Sequence, residues 1–339
     1  MPPLSSSGHS RIGITIGDAA GIGPEIVLRS LADMELRESA EFLIIGDLAF
    51  LRAEVDRLKI DIELESGEMP KAGKAVVFDL HNISGSVVPG TENAVCGKAA
   101  GEYIEAAVNL WSEGRLDAIA TAPISKRSLS LGGYDFPGHT EFLAALTGTD
   151  RFAMSFFAGQ LRVVLLSTHL SLKDAIARVT RGRLAELIRF TSAEMAKLLG
   201  RSVKIAVAGL NPHASENGMF GTEEAAEMTP AIEVCRDEGI DVCGPFAADT
   251  VFLRCNSGEF DAVIACYHDQ ATIAVKCLSF GKGVNVTLGL PLIRTSVDHG
   301  TAFDIAGKGI AEHSSMMEAI RLAGELARIR KGETAANAT

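Results

Sequence analysis

Three histidines, His169, His213 and His268, each stand just beyond an apolar run: LRVVLLST precedes the first, KIAVAGL the second and DAVIACY the third. Imidazole is a common ligand of transition metals, and three at equivalent strand ends would hold one divalent ion if those strands lie side by side. Their separations of 44 and 55 residues match no local metal signature, so three structural histidines are the plainer alternative. A second polar group is threaded through apolar fragments between Tyr267 and Gly309. It contains Lys276, Asn285 and Arg294, hydrogen-bond donors of which an arginine grips carboxylate or phosphate in a two-pronged way. In FPGHTEF (136–142), His139 and Thr140 fall at an expected helix start, where the helix end favours an anion. The alternative there is a capping segment with a solvent-facing histidine. GDAAGIGPE (17–25) carries three glycines between a strand and a helix, a geometry that can aim backbone N–H groups at an anion. Its spacing is neither GxGxxG nor a P-loop, and a purely structural turn fits equally well.

The elements that must position these residues alternate in type. IGITIG (12–17), FLIIG (42–46), AVVFDL (75–80), LDAIATA (116–122), VKIAVAGL (203–210), DAVIACY (261–267) and VNVTLGL (284–290) read as compact buried strands. FAMSFFA (152–158) and LRVVLLST (161–168) read as a hairpin joined by Gly159-Gln160. Helical spacing is expected from Pro24 to about Leu36, over 98–113 with Ala100, Ile104, Ala107 and Trp111 on one face, and near 140–147. It recurs over 182–199 with Leu184, Leu187, Ile188, Met195 and Leu198, and over 315–329, and the tail KGETAANAT is expected to fray. Strand–helix alternation of this kind predicts an α/β protein with a mostly parallel sheet. In such sheets ligands collect beyond the carboxyl ends of the strands, where the notable residues cluster.

Composition sets the outer bounds. With 339 residues, 47% apolar and 22% charged, the chain is long enough for about two domains and too apolar for disorder. The formal charge of −11 runs opposite to that of a broad nucleic-acid-binding face. An anionic substrate would need a local basic pocket. Six cysteines include no CxxC pair and suggest a reducing, cytoplasmic setting. The opening MPPLSSSGHS lacks a signal pattern, and no apolar run nears a membrane span.

Taken together, GDAAGIGPEI (17–26), TAPISK (121–126), GHTEFLA (138–144), GLNPHASENGMFGTEE (209–224), YHDQ (267–270) and GVNVTLGLPLIRTSVDHGTAFDIAGKG (283–309) resemble the 4-hydroxythreonine-4-phosphate dehydrogenase family over about residues 11–330. HGTAFDIAGKGIA (299–311) is also similar to the cofactor loop of isocitrate and isopropylmalate dehydrogenases. The resemblance implies two α/β/α domains around a cleft: a discontinuous cofactor-side domain, 1–127 with 290–339, and a metal- and dimer-forming domain, 128–289. It implies that His169, His213 and His268 bind a divalent metal (Zn, Mg, Co or Mn) at a site shared across a homodimer. By the same resemblance His139, Thr140, Lys276, Asn285 and Arg294 touch a small phosphorylated hydroxy-acid substrate, and Gly300, Thr301, Ala302 and Asp304 touch NAD or NADP. The implied reaction oxidises the alcohol of 4-phosphooxy-threonine to a β-keto acid, which loses CO2 to give 3-amino-2-oxopropyl phosphate in pyridoxal 5'-phosphate biosynthesis. Metal Lewis acidity and hydride transfer to the nicotinamide would carry that chemistry, with Lys276 or Asp249 as the proton-transfer group.

The chain departs from the family pattern at Ala19, where proline is common, and at Ser215 and Ala271, where glycine is expected. Relatives acting on phosphorylated threonate or erythronate, or on a cis-dihydrodiol carboxylate, offer an alternative substrate. A phosphate acetyltransferase-like enzyme or a non-catalytic phosphoester-binding protein is the alternative of another class.

Overall fold

The computed structural model describes residues 9–279 and 281–332; the first eight residues of the opening segment and most of the tail expected to fray, from 333 on, lie outside the described residues. In chain order the strands are β1 (Arg11–Thr15), β2 (Glu41–Gly46), β3 (Leu64–Ser66), β4 (Lys71–Ala72), β5 (Ala75–Asp79), β6 (Ala118–Thr121), β7 (Ala153–Ala158), β8 (Leu161–Leu165), β9 (Ile205–Ala208), β10 (Val242–Phe246), β11 (Ala262–Ala265), β12 (Val284–Leu288) and β13 (Ile293–Val297). The fold is mixed α/β and predominantly parallel. The chain divides into a discontinuous unit, Met1–Asp150 with Leu290–Thr339, and a continuous one, Arg151–Gly289. Residues 128–150 therefore belong to the first unit and not, as expected, to the second. The reason is local packing, because the helix Ala94–Ser112 lies against the helices Lys126–Leu131 and His139–Thr147.

In the first unit the strand order is β13-β6-β1-β2-β5-β3, all parallel, with the short β4 antiparallel on β2. Ile12, Ile14 and the run Phe42–Ile45 are fully enclosed, as expected of parallel strands covered on both faces. The helix Gly23–Ala32 starts with Pro24 in its first turn, where a missing N–H costs nothing. It ends before the expected Leu36. The Asp33 carboxylate accepts from the Leu36 N–H at 2.8 Å and starts a separate helix, Met34–Ser39. The helix Ala94–Ser112 buries Ala100, Ile104 and Ala107 as expected, whereas Trp111 is only half-buried. The helix Ser314–Arg330 packs on β13 and β6.

In the second unit the order is β10-β9-β11-β8-β7-β12. The first four strands run parallel, and β7 and β12 are antiparallel additions. The β7–β8 hairpin turns at Gly159, whose φ of 59° suits glycine. Val163, Leu165, Ala206, Val263 and Ala265 form a core with Val251 and Cys255 from the helix Ala248–Asn256 and Val275 from the helix His268–Ser279. The helix Arg181–Leu199 buries Leu184, Ile188, Met195 and Leu198 and leaves Leu187 half-buried. Among the described residues no helix is long and apolar enough to cross a membrane.

Candidate active site

The neighbours β9, β11 and β8 deliver the three histidines. His169 follows β8 by four residues, His213 follows β9 by five, and His268 opens the helix after β11. The His169 and His268 rings lie side by side, with centroids 5.9 Å apart. Nδ1 of His268 is 2.7 Å from an Asp269 carboxylate oxygen. With the proton on that nitrogen, Nε2 keeps its lone pair for a cation, the usual orientation of a metal-binding histidine. His213 stands on a run, His213–Asn217, in which every residue has positive φ. Among the described residues no three histidine, cysteine or carboxylate side chains gather around one point, so the chain pairs His169 with His268 and does not bring His213 into a cluster with them. Two imidazoles, one held by a carboxylate, fit a borderline divalent ion of the zinc type.

Lys276 is eight residues further along the helix that His268 opens and is exposed. Asp249, also exposed, sits in the first turn of the helix Ala248–Asn256. It lines a groove of about 430 Å³ together with Tyr267, Asp269, Gln270 and Ile273. Asn285 is half-buried on β12, opposite Phe156 of β7.

The first unit holds a separate polar group. Arg294, in β13, is only 4% exposed. Its Nε and Nη2 donate to the Thr121 hydroxyl at 3.2 and 2.9 Å. Burial pushes the Arg294 pKa down to about 10, opposed by the nearby Glu141 charge, so the guanidinium stays charged at neutral pH. His139, 9% exposed, opens the helix His139–Thr147. Burial, and then the Arg294 charge, hold His139 well below the ordinary histidine range. Its Nε2 is buried without a hydrogen-bond partner. A buried ring atom left open beside a buried cation fits the end of an anionic ligand. The expectation of a cap is corrected: Gly138 is the N-cap residue, and no side chain caps this helix. The solvent-facing alternative for His139 also fails, because the ring is enclosed. Thr140 is half-buried beside it. Thr121 was missed as a site residue although TAPISK begins with it; its signal was a hydroxyl at the last position of a buried strand.

Four N–H groups of GDAAGIGPE are bonded within the protein. The Asp18 N–H goes to Pro123 O, those of Ala20 and Gly21 go to Asp18 itself, and that of Ile22 goes to Thr301 O at 3.0 Å. At these four positions the motif is a turn, tied through Ile22 to Thr301 of the loop Gly300–Asp304. Ala302 has a φ of 43° and its carbonyl accepts from Ile305 and Ala306, while Gly300 and Asp304 are exposed. A side chain at Gly300 would meet nothing within 4 Å. His299, also unassigned from the sequence, holds Gly300 O through Nδ1 at 3.0 Å and buries an unpartnered Nε2.

Known proteins resemble this chain over most of its length. A family model described as "Pyridoxal phosphate biosynthetic protein PdxA" matches residues 38–323. The chain is 46% identical to the D-threonate 4-phosphate dehydrogenase of Cupriavidus necator, over 94% of this chain and 98% of that one. It is 43% identical to the 4-hydroxythreonine-4-phosphate dehydrogenase of Geobacter metallireducens, over 94% and 96%. The crystal structure of 4-hydroxythreonine-4-phosphate dehydrogenase from Klebsiella pneumoniae is 40% identical, covers 95% of this chain and 99% of its own, and superposes with a TM-score of 0.87. Fold and relatives define an α/β oxidoreductase of the dehydrogenase class, which in general uses a nicotinamide cofactor. Within that class, the chain belongs to the PdxA family.

Proposed function

We propose that the enzyme oxidises and decarboxylates 4-hydroxythreonine 4-phosphate to 3-amino-2-oxopropyl phosphate, with NAD or NADP and one divalent metal, in pyridoxal 5'-phosphate biosynthesis. The observation that carries this reading is the pairing of His169 and His268 at the ends of adjacent parallel strands, inside a chain of this family. His169, His213 and His268 hold the ion, with His213 completing a site shared between two copies of the chain. When bound, the ion supplies a Lewis acid that eases loss of the hydroxyl proton and steadies the charge left by CO2, and the nicotinamide accepts the hydride. Arg294, held by Thr121, and His139 with Thr140 grip an anionic end of the substrate. Asn285 orients the substrate, and Lys276 or Asp249 moves the hydroxyl proton. Gly300, Thr301, Ala302 and Asp304 line the nicotinamide cofactor. The six free cysteines suit a reducing, cytoplasmic compartment.

A second reading rests on the 46% identity to a D-threonate 4-phosphate dehydrogenase. That substrate carries a hydroxyl in place of the α-amino group, and the same oxidation and decarboxylation apply. The test is NADH absorbance with each phosphorylated acid, NAD and Zn²⁺, Mn²⁺, Co²⁺ or Mg²⁺. Turnover of the threonine compound supports the main reading, preference for threonate 4-phosphate moves the assignment to the second, and no NADH from either ends both. Replacing His213 with Ala is expected to abolish metal-dependent turnover while leaving the circular dichroism spectrum unchanged.

A further inference from the structure

The strands β9, β11 and β8 lie in ladder contact only as far as Val207, Ile264–Ala265 and Leu165. One backbone bond further on each side, from Leu166 N–H to Ala265 O and from Gly209 N–H to Phe246 O, ends the backbone pairing, and side chains constrain the histidine-bearing segments beyond it. The Ser167 hydroxyl donates to Cys266 O at 2.9 Å, tying the end of β8 to the end of β11. The Gln270 amide bridges in two directions: Oε1 accepts from the Cys266 N–H at 2.7 Å, and Nε2 donates to Gly209 O at 2.8 Å. Gln270 stands in the first turn of the helix that His268 opens. One side chain thus joins that helix, the end of β11 and the end of β9.

The β9 side is fastened again further out. The Asn211 backbone N–H donates to Glu224 at 2.6 Å, and its Nδ2 donates to Glu224 and Glu223 at 2.8 Å each. Glu224 is only 2% exposed. From His213 the chain enters its left-handed run, a conformation that L-residues keep only when the surroundings impose it. Every member of this frame lies within four residues of a histidine or bonds to a residue that does.

We infer that Gln270 is a positioning residue for the divalent-ion site: its amide fixes the start of the helix that carries His268 against the ends of β11 and β9, and Ser167 fixes the segment that carries His169 to the end of β11. The inference rests on the metal reading given above. Co²⁺ titration into chelator-stripped full-length protein tests it, with visible absorption reporting ligand geometry. In Gln270→Met the Co²⁺ dissociation constant is expected to rise about tenfold, the scale seen when groups behind metal ligands are removed, and the absorption bands to shift. Ser167→Ala, a milder change, is expected to give a smaller rise and shift, and it decides alone if Gln270→Met does not fold. Wild-type affinity and bands in the folded variants would overturn the frame, while loss of Co²⁺ from His268→Ala would leave the metal reading standing. A wild-type protein that takes up no Co²⁺ overturns both.

Discussion

A buried guanidinium beside a buried imidazole fixes what Arg294 and His139 can do. Burial disfavours the charged form of both, so the Arg294 pKa is lowered and the histidine refuses a proton. Below the ordinary histidine pKa of 6.5 the unfolded chain takes up a proton that the folded His139 does not. The unfolded state then binds more protons, and stability falls as the pH drops. Taking the pH from 7 to about 5.5, we expect wild type to lose about 1 kcal/mol more unfolding free energy than His139→Gln in urea titrations. Equal losses would mean that His139 titrates as an open side chain. Arg294 keeps its charge at neutral pH and presents a planar fork, two arms of which hold Thr121. Lysine would keep the charge and lose the fork. Arg294→Lys is expected to raise KM for the phosphorylated substrate roughly ten- to hundredfold, the worth of one hydrogen bond to a charged group, with KM for NAD unchanged. An unchanged substrate KM would remove Arg294 from the site.

At the scale of elements, what the sequence made legible was burial. β1, β2, β6, β9 and β11 read as apolar runs because parallel strands covered on both faces need nothing else. β13 was not read as a strand because IRTSV carries three polar side chains in a buried register; Arg294, Thr295 and Ser296 are tolerated there through bonds to Thr121 and Ala319. The helix His268–Ser279 was hidden by its polar opening His268-Asp269-Gln270, which masks a short apolar period at Ala271 and Val275. The left-handed run at 213–217 has no glycine to announce it. At Ser215, φ is 69° where the family pattern carries glycine. Restoring it in Ser215→Gly should stabilise the protein by about 0.5–1 kcal/mol, the relief of left-handed backbone less the added freedom of the unfolded chain. A loss of stability in thermal denaturation would mean that the serine side chain contributes more than the strain costs. Gly97 marks the opposite case, where glycine is required by proximity. A Cβ there would stand 1.7 Å from Ser128 O, on the helix Lys126–Leu131. Gly97→Ala is expected to cost about 2–3 kcal/mol in urea unfolding, as overpacking does.

In the second unit Ile273 is 63% exposed and Leu253 54%, and both line the groove that also holds Asp249 and Gln270. If the ion site is shared between two copies as proposed, these open apolar side chains beside it are where the second copy is expected to lie. A pair of two-fold-related copies would present the same patch twice, so a single substitution alters the interface at two places. If the metal site is shared between copies, dissociation and metal loss must then occur together. We expect wild type to sediment as a dimer. Ile273→Glu, which places a carboxylate at a position already open to solvent, should keep the wild-type circular dichroism spectrum and sediment as a monomer. Its affinity for Co²⁺ should drop at the same protein concentration and recover as the concentration rises, because the ion then binds only to the dimer. A monomeric Ile273→Glu that binds Co²⁺ as tightly as wild type, at every concentration, would place all the ligands within one chain. A wild type that sediments as a monomer would leave the apolar groove to some other ligand and the shared site without support.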